Sequence, residues 1–235
     1  MKAIRIHQPG TPEVLQLEEI ALPQPKAGEV LIKVAAAGVN YADIGMRQGM
    51  FGGPHSVELP YTPGLEVTGT VAALGPGVTG FEEGMRVMAV PDIGGYAEYA
   101  VAPADKTFRM PNGIDFAAAN ALLVQGLTAY GVLHDAAKIQ PNESILVQSA
   151  AGGVGSLLVQ LAKLAGAGVV LGTASSGKLD VVRQLGADAA IDYTQPDWIK
   201  QVYAVTQGRG VDVVLDAVGG PSAAQAFQAW RSLAG

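Results

Sequence analysis

Short runs of alternating hydrophobic and polar residues, separated by Gly and Pro, fill the first half of the chain. The run from Glu29 to Val34 alternates as a half-buried strand does, and runs of the same kind occupy 67–74, 85–90 and 96–101. Because short strands at this spacing bury their apolar faces by pairing with one another, the pattern predicts an all-β barrel or sandwich-like domain.

After residue 140 the pattern changes. Short continuous apolar runs alternate with segments in which apolar residues recur at helical spacing. The runs predict strands at 144–148, 169–171, 189–191 and 211–215. Helical spacing follows each strand, at Val154, Leu157, Leu158 and Leu161, at Leu179, Val182 and Leu185, at Trp198, Val202 and Val205, and at Phe227, Trp230 and Leu233. This alternation predicts a parallel sheet with helices on both faces.

The region between the two patterns, residues 116–138, is predicted to be a helix that links two domains. Hydrophobic residues make up 49% of the 235 residues, which is enough for one or two substantial cores. We therefore expect a β-rich domain at 1–122 and an α/β domain at 123–235.

Composition narrows the chemistry and the partners. The 15 Lys and Arg residues are scattered along a chain of net charge −6, so no nucleic acid partner is expected, because binding a phosphate backbone needs clustered basic residues. The chain contains no cysteine, which excludes disulfides, thiolate catalysis and cysteine-ligated metal sites.

Targeting and membrane signals are also missing from the pattern. The N-terminus lacks the apolar core of a signal peptide, and no uninterrupted apolar stretch reaches the roughly 18 residues that a membrane span requires. We expect a soluble cytoplasmic protein without a membrane partner.

The segment AAGGVG, from Ala150 to Gly155, follows a predicted strand and opens a predicted helix. Its spacing is that of the G-x-G-x-x-G dinucleotide fingerprint with Ala150 in place of the first Gly. Gly152 would let the backbone approach a pyrophosphate, Gly153 and Val154 would present helix N–H groups to it, and Gly155 would let helix and strand pack closely. The alternative, a tight turn without a ligand, is disfavoured by the βα units around it.

The end of the second predicted strand indicates which dinucleotide is bound. An NAD site usually places Asp or Glu there to accept hydrogen bonds from the ribose 2′-OH. Here the sequence has no acid until Asp180 and offers Thr173, Ser175 and Lys178 instead. Hydroxyls and an ammonium would accept a 2′-phosphate that a carboxylate would repel, so we predict NADPH. The alternative for Lys178 is an ordinary solvated residue on the first turn of a helix.

The order of these features resembles the medium-chain dehydrogenase/reductase superfamily over essentially the whole chain. The resemblance is carried by AGVNYAD at 37–43, PGLEVTG at 63–69, GLTAY at 126–130 and AGGVG at 151–155. It implies an N-terminal GroES-like β-rich domain followed by a partial Rossmann domain, a doubly wound parallel sheet.

Residues at the metal-ligand positions indicate the branch of this superfamily. Its zinc alcohol dehydrogenases hold the metal with Cys, His and Cys, and those places here fall at Asn40, Leu65 and about Val124, which are not zinc ligands of that kind. The chain therefore resembles the zinc-free, NADPH-using quinone oxidoreductase branch. That branch has Asn at the position of Asn40 and Asp near Asp43, which makes these two the implied catalytic residues.

The same resemblance implies further cofactor-binding residues. Lys178 and Tyr193 match the NADPH-binding Lys and Tyr of that branch, and Thr128 lies in the matching GLTAY segment. For Tyr193 the alternative, a residue that merely ends a strand, carries equal weight on the sequence alone. One departure is Gly45, which stands where the family often has Tyr.

The implied reaction is the reduction of quinones or other α,β-unsaturated carbonyl compounds by hydride transfer from NADPH, without zinc. Asn40 could donate to a developing oxyanion, or bind the cofactor ribose or a water, and Asp43 is expected to orient its neighbours. His7, His55 and His134 are expected in surface or loop positions. The alternatives are an enoyl-thioester reductase of the same superfamily and a cofactor-binding protein without catalysis.

Relatives in this superfamily continue beyond the point that corresponds to Gly235. The resemblance therefore implies that the C-terminal part is missing and that the full-length protein is a homodimer. The fourth predicted strand is expected to lack a neighbour on its far side, which would leave an unpaired sheet edge.

Overall fold

The computed structural model of this chain describes residues 1–50 and 57–231. The chain divides into two compact units, Met1–Val124 and Gln125–Gly235. The boundary between these units lies two residues beyond the domain limit at 122 that the sequence suggested.

The first unit contains a five-stranded antiparallel sheet with the order β6-β3-β4-β5-β7 and a two-stranded sheet of β1 and β2. Its elements are β1 (Lys2–Arg5), β2 (Gln16–Glu19), β3 (Glu29–Ala37), α1 (Tyr41–Arg47), β4 (Val67–Leu74), β5 (Arg86–Ala89), β6 (Tyr99–Pro103), β7 (Thr107–Arg109) and α2 (Phe116–Ala121). The β-rich first domain predicted from alternation is confirmed.

Alternating apolar side chains build the core of this sheet. Val30 and Ile32 on β3 are fully buried, as are Val67 on β4 and Val87 on β5. The strands β3 and β4 approach so closely that a Cβ at Gly69 would lie 2.0 Å from the Lys33 carbonyl oxygen, which only glycine avoids.

The second unit is a four-stranded parallel sheet with the order β10-β9-β8-β11. The elements from its start onward are α3 (Val124–Tyr130), β8 (Ser144–Val147), α4 (Gly153–Leu164), β9 (Val169–Ala174), α5 (Leu179–Gln184), β10 (Ala189–Asp192), α6 (Trp198–Val205), β11 (Val213–Leu215) and α7 (Gly220–Gln228). The predicted strand–helix alternation and parallel sheet are confirmed, and β11 lies at an edge among the described strands.

Successive residues of β8 show how this sheet is covered on both faces. Ile145 and Val147 pack with Val159 of α4, whereas Leu146 packs on the other side with Trp198 and Val202 of α6. All of these side chains are at most 1% exposed. The near-continuous apolar run in the sequence follows from this burial on both faces.

The single linking helix predicted for residues 116–138 is wrong. The chain forms α2, a break at Leu122 and Leu123, then α3 and a π-helical segment, Gly131–Ala136. In a continuous helix the N–H of Val124 would donate to the carbonyl four residues earlier. Here it donates to the Glu66 carboxylate at 2.7 Å, so a tertiary hydrogen bond replaces a helical one.

The last predicted helix is shorter than its apolar spacing suggested. It ends at Gln228, and Trp230 instead forms a parallel bridge with Val211 just before β11. The Trp230 indole N–H donates to the Asp212 carbonyl at 2.9 Å. Trp230 is thus held by strand pairing, and Leu233 lies outside the described residues.

No helix in the described ranges is both long enough and apolar enough to span a membrane.

Candidate functional site

A tight turn connects β8 to α4 at the carboxyl edge of the parallel sheet. The Gly152 N–H donates to the Ser149 carbonyl at 2.8 Å, and α4 begins at the next residue. A Cβ on Gly155 would lie 2.2 Å from the same Ser149 oxygen. Glycine at 155 is therefore what allows the helix to start against the end of the strand, as the fingerprint implied.

The other residues of the fingerprint have distinct surroundings. Ala150 is fully buried, and its N–H donates to the Thr173 carbonyl at 2.8 Å, which joins the turn to β9. Val154 is half-buried and packs on the core of the second unit. A Cβ on Gly153 would lie 2.4 Å from Oε1 of Gln125, so this glutamine side chain lies directly on the start of α4.

A cavity of about 100 Å³ lies beside this turn, where β8, β9 and β10 end. It is lined by Ser149, Ala151, Gly152, Ala174, Ser175, Lys178 and Tyr193. The fold thus brings together four residues that the sequence had proposed separately: Gly152, Ser175, Lys178 and Tyr193.

Two proposed cofactor residues lie elsewhere. Thr173 is only 1% exposed and does not line the cavity, because it is buried on β9 one residue before Ala174. Thr128 is exposed on α3 and is also not among the lining residues.

The polar side chains that line this cavity have no partner among the described residues. The side chains of Ser149, Ser175, Lys178 and Tyr193 make no hydrogen bond or ion pair with another described residue. Asp180, the acid next along the chain, pairs with Arg183 at 2.6 Å. The ammonium of Lys178 is therefore left to attract an anion.

Tyr193 is placed at the cavity by a turn that follows β10. The Asp192 carboxylate accepts hydrogen bonds from the Thr194 hydroxyl at 2.7 Å and the Thr194 N–H at 2.9 Å. These bonds hold the pKa of Asp192 below its ordinary value, since they favour the charged form. The hydrogen bonds between Asp192 and Thr194 keep Tyr193, which lies between them, at the end of β10.

The first unit contains a second group of candidate residues, a buried polar network around Asn40. The Asn40 N–H donates to Oδ2 of Asp43 at 2.8 Å, and the Tyr96 hydroxyl donates to the same oxygen at 3.0 Å. The Asn40 side-chain amide donates to Oε1 of Glu66 at 2.8 Å. Asn40, Asp43 and Glu66 are 7%, 6% and 0% exposed, respectively.

The electrostatics of this network keep its tyrosines neutral. Burial, the charge of Asp43 with its hydrogen bond, and the charge of Glu66 raise the pKa of Tyr96 strongly. Burial and the charge of Asp43 also raise the pKa of Tyr61, against the opposing effect of Arg47. Tyr96 is therefore a hydrogen-bond donor, and not an acid, at neutral pH.

Sequence reasoning missed Glu66, Tyr96, Gln125 and Ser149. Glu66 gave no usable signal, because glutamates are mostly exposed and a position directly before an apolar strand does not predict burial. The other three became visible only through contacts between segments that are distant in the sequence.

Among the described residues, the positions that correspond to the zinc ligands of related alcohol dehydrogenases carry no metal-ligand cluster. Leu65 is half-buried, and the described residues contain no group of three or more His, Asp or Glu side chains arranged to hold an ion. His7 approaches Glu18 at 2.5 Å on an exposed surface, and His134 contacts the ring of Tyr130. His55 lies outside the described residues.

Comparison with known families and curated proteins agrees with this architecture. Residues 26–112 match the alcohol dehydrogenase GroES-like domain, and residues 153–233 match the zinc-binding dehydrogenase family. The synaptic vesicle membrane protein VAT-1 homolog of Rattus norvegicus is 38% identical over 91% of this chain and 52% of its own length. The quinone oxidoreductase of Rattus norvegicus is 38% identical over 92% of this chain and 66% of its own length.

Solved structures of oxidoreductases also resemble this chain. The Escherichia coli quinone oxidoreductase complexed with NADPH superimposes with a TM-score of 0.92 and 33% identity, over 98% of this chain and 70% of that one. The CurK enoyl reductase superimposes with a TM-score of 0.91 and 29% identity, over 98% of this chain and 71% of that one.

A β-rich unit followed by a parallel α/β unit with a Gly-rich turn after its first strand defines a medium-chain dehydrogenase/reductase. The description of the second family mentions zinc, but the ligand positions here fall at Asn40, Leu65 and about Val124, and the chain has no cysteine. The chain belongs to the zinc-independent quinone oxidoreductase branch of this superfamily. It spans about half the length of the VAT-1 relatives it matches, 52% in the rat protein.

Proposed function

We propose that this protein binds NADPH and reduces quinones or other α,β-unsaturated carbonyl compounds by hydride transfer, without zinc. The observation that carries the proposal is the cavity at the ends of β8, β9 and β10, where Lys178 is surrounded by hydroxyl groups and no carboxylate. The rat quinone oxidoreductase and the NADPH complex of the bacterial enzyme support it.

The size of the cavity supports a phosphate subsite. Sites for whole ligands usually measure roughly 300–1,000 Å³. The cavity of about 100 Å³ suits one phosphate group rather than a dinucleotide. Because Ser175, Tyr193 and Lys178 can all donate to phosphate oxygens, this subsite favours the 2′-phosphate of NADPH over the hydroxyl of NADH.

The start of α4 suits the pyrophosphate of the same cofactor. The helix has 12 residues, its N-cap is Gly152, and no side chain caps it. The N–H groups of its first turn lack intrahelical acceptors, and they combine with the helix dipole to attract an anion. Gly152 and Gly153 leave the backbone there without Cβ atoms.

Bound NADPH would supply the hydride, and the side chains of this protein would bind and orient the cofactor and the substrate. Glu66 accepts one N–H of the Asn40 amide, which turns the amide nitrogen toward Glu66 and leaves the Asn40 oxygen as an acceptor. The second N–H of the amide is still available, so Asn40 keeps both candidate roles, donation to an oxyanion and binding of a ribose hydroxyl or a water. Asp43, which binds both the Asn40 N–H and Tyr96, acts as the orienting residue.

The test of cofactor choice is a pair of titrations with NADPH and NADH. We expect NADPH to bind at least about tenfold more tightly, a difference of about 1.4 kcal/mol. Lys178→Ala should weaken NADPH by about 1–2 kcal/mol and leave NADH unchanged. Lys200→Ala is the matched control, since that lysine is exposed and pairs with Asp197. Equal affinities for the two cofactors in the unsubstituted protein would refute the proposal.

The substrate class is tested by turnover. We expect the protein to oxidise NADPH faster with a quinone than with an enoyl thioester. The similarity to the CurK enoyl reductase favours the second candidate, an enoyl-thioester reductase, and the opposite order of rates would select it. Binding of NADPH without turnover of either substrate would select a cofactor-binding protein without catalysis.

A further inference from the structure

Ser149, two residues after the end of β8, has a backbone conformation that disfavours its side chain. Its φ is +52°, in the left-handed region. Residues with a Cβ atom enter this region at a cost in conformational free energy, and Ser has no special tolerance for it. Such strain persists at sites where the surrounding structure imposes it, and it often marks a functional residue.

The fold explains the backbone of Ser149 but not its side chain. Its carbonyl oxygen accepts the Gly152 N–H at 2.8 Å, and it is this oxygen that a Cβ on Gly155 would meet. The turn therefore requires the left-handed conformation. Glycine would adopt it without strain, so the turn itself gives no reason for a hydroxymethyl group at 149.

Ser149 lies at the cavity that forms the proposed phosphate subsite. Its Oγ lies 3.0 Å from the point where a Cβ on Gly152 would be, and Gly152 lines the cavity. The residue is exposed and lines the cavity with Ser175, Lys178 and Tyr193. No other described residue accepts from or donates to this hydroxyl.

We propose that Ser149 is a cofactor-specificity residue whose hydroxyl donates a hydrogen bond to the 2′-phosphate of NADPH. Three turns then surround the phosphate: Ser149 follows β8, Ser175 and Lys178 follow β9, and Tyr193 follows β10. This inference rests on the proposed function, because it assigns a further ligand within the NADPH site.

Two substitutions separate the hydroxyl from the strain. Ser149→Ala removes the hydroxyl and keeps the Cβ, whereas Ser149→Gly removes both. Both variants should bind NADPH about tenfold more weakly and NADH as before. The melting temperature of the ligand-free protein should rise for Ser149→Gly alone. Ser176→Ala is the control, since Ser176 is exposed in the next turn and does not line the cavity.

Titration with 2′-AMP and with 5′-AMP isolates the phosphate from the rest of the cofactor. Ser149→Ala should lose affinity for 2′-AMP only. An unchanged preference for 2′-AMP in Ser149→Ala, with the preference lost in Lys178→Ala, would overturn the role of Ser149 and leave NADPH binding in place. If the unsubstituted protein prefers neither NADPH nor 2′-AMP, the proposed function and this inference both fail.

Discussion

At the scale of single residues, Glu66 sets the orientation of Asn40. Each of its two carboxylate oxygens accepts one N–H, Oε1 from the Asn40 amide and Oε2 from the Val124 backbone. The residue is fully buried, and a Cβ on Gly38 would lie 2.0 Å from Oε1. The carboxylate is thus enclosed, and its two oxygens define which end of the Asn40 amide points toward it.

Glu66→Gln tests this orientation. One oxygen becomes an NH₂ group that faces an N–H donor, so a buried donor is left unsatisfied. We expect a loss of about 1–3 kcal/mol in the free energy of unfolding, measured by denaturant titration. Quinone reduction should slow if Asn40 turns. Glu82→Gln, at an exposed position, is the control and should change neither quantity.

Tyr96→Phe tests the electrostatics around Asp43. The raised pKa of Tyr96 means that the folded protein holds this proton after the unfolded chain has released it. Its contribution to stability is therefore complete below the ordinary tyrosine pKa of 10.0 and declines as pH rises beyond it. The unfolding free energy of Tyr96→Phe, measured from pH 9 upward, should fall less steeply than that of the unsubstituted protein. Parallel curves for the two proteins would contradict the assignment.

At the scale of elements, the start of α4 depends on two glycines in different ways. The Cβ of an alanine at 155 would meet the Ser149 backbone, whereas at 153 it would meet the flexible side chain of Gln125. Backbone cannot move away without disrupting the strand-to-helix turn, but a glutamine side chain can. The two positions should therefore differ in how their substitutions can be rescued.

Gly155→Ala should lower both the melting temperature and NADPH affinity, and Gly155→Val more so, with the β-rich unit still folded. Gly153→Ala should have a smaller effect. Adding Gln125→Ala should restore the Gly153→Ala protein and leave the Gly155→Ala protein unchanged, as measured by thermal melting and NADPH titration. Rescue of both variants, or of neither, would show that Gln125 is not the neighbour that limits position 153.

At the scale of the whole molecule, the residue types at the zinc-ligand positions predict a protein that does not depend on bound zinc. The places of the zinc ligands of related alcohol dehydrogenases fall at Asn40, Leu65 and about Val124, and the chain has no cysteine. We therefore expect EDTA to change neither the melting temperature nor the NADPH affinity. One equivalent of zinc per chain by elemental analysis, together with a loss of stability on chelation, would contradict this expectation.

Cofactor binding should stabilise the molecule through mass action. A ligand that binds only the folded state raises the unfolding free energy by about 2.7 kcal/mol at a concentration of 100 times Kd. NADPH should therefore raise the melting temperature more than NADH at equal concentration. Lys178→Ala should remove that difference, which links the subsite at the strand ends to the stability of the folded chain.

The sequence by itself determined which segments are strands and helices, because alternation and helical spacing report which side of a segment is buried. It also determined the Gly-rich turn, since a glycine at 155 is needed where α4 starts against the Ser149 carbonyl. The sequence was insufficient to predict an element where helical spacing competes with a tertiary contact. The predicted linking helix is broken at the point where the Val124 N–H donates to Glu66.

Only the tertiary structure decided which polar residues meet. Ser149, Lys178 and Tyr193 belong to three different strand ends, and they share a cavity because β8, β9 and β10 are adjacent and parallel. The partners of Asn40 and Asp43 likewise come from segments 26 and 53 residues away, at Glu66 and Tyr96 respectively. The number of residues between two positions in the sequence does not give their distance in space. That distance follows from the order and direction of the strands in the folded sheets.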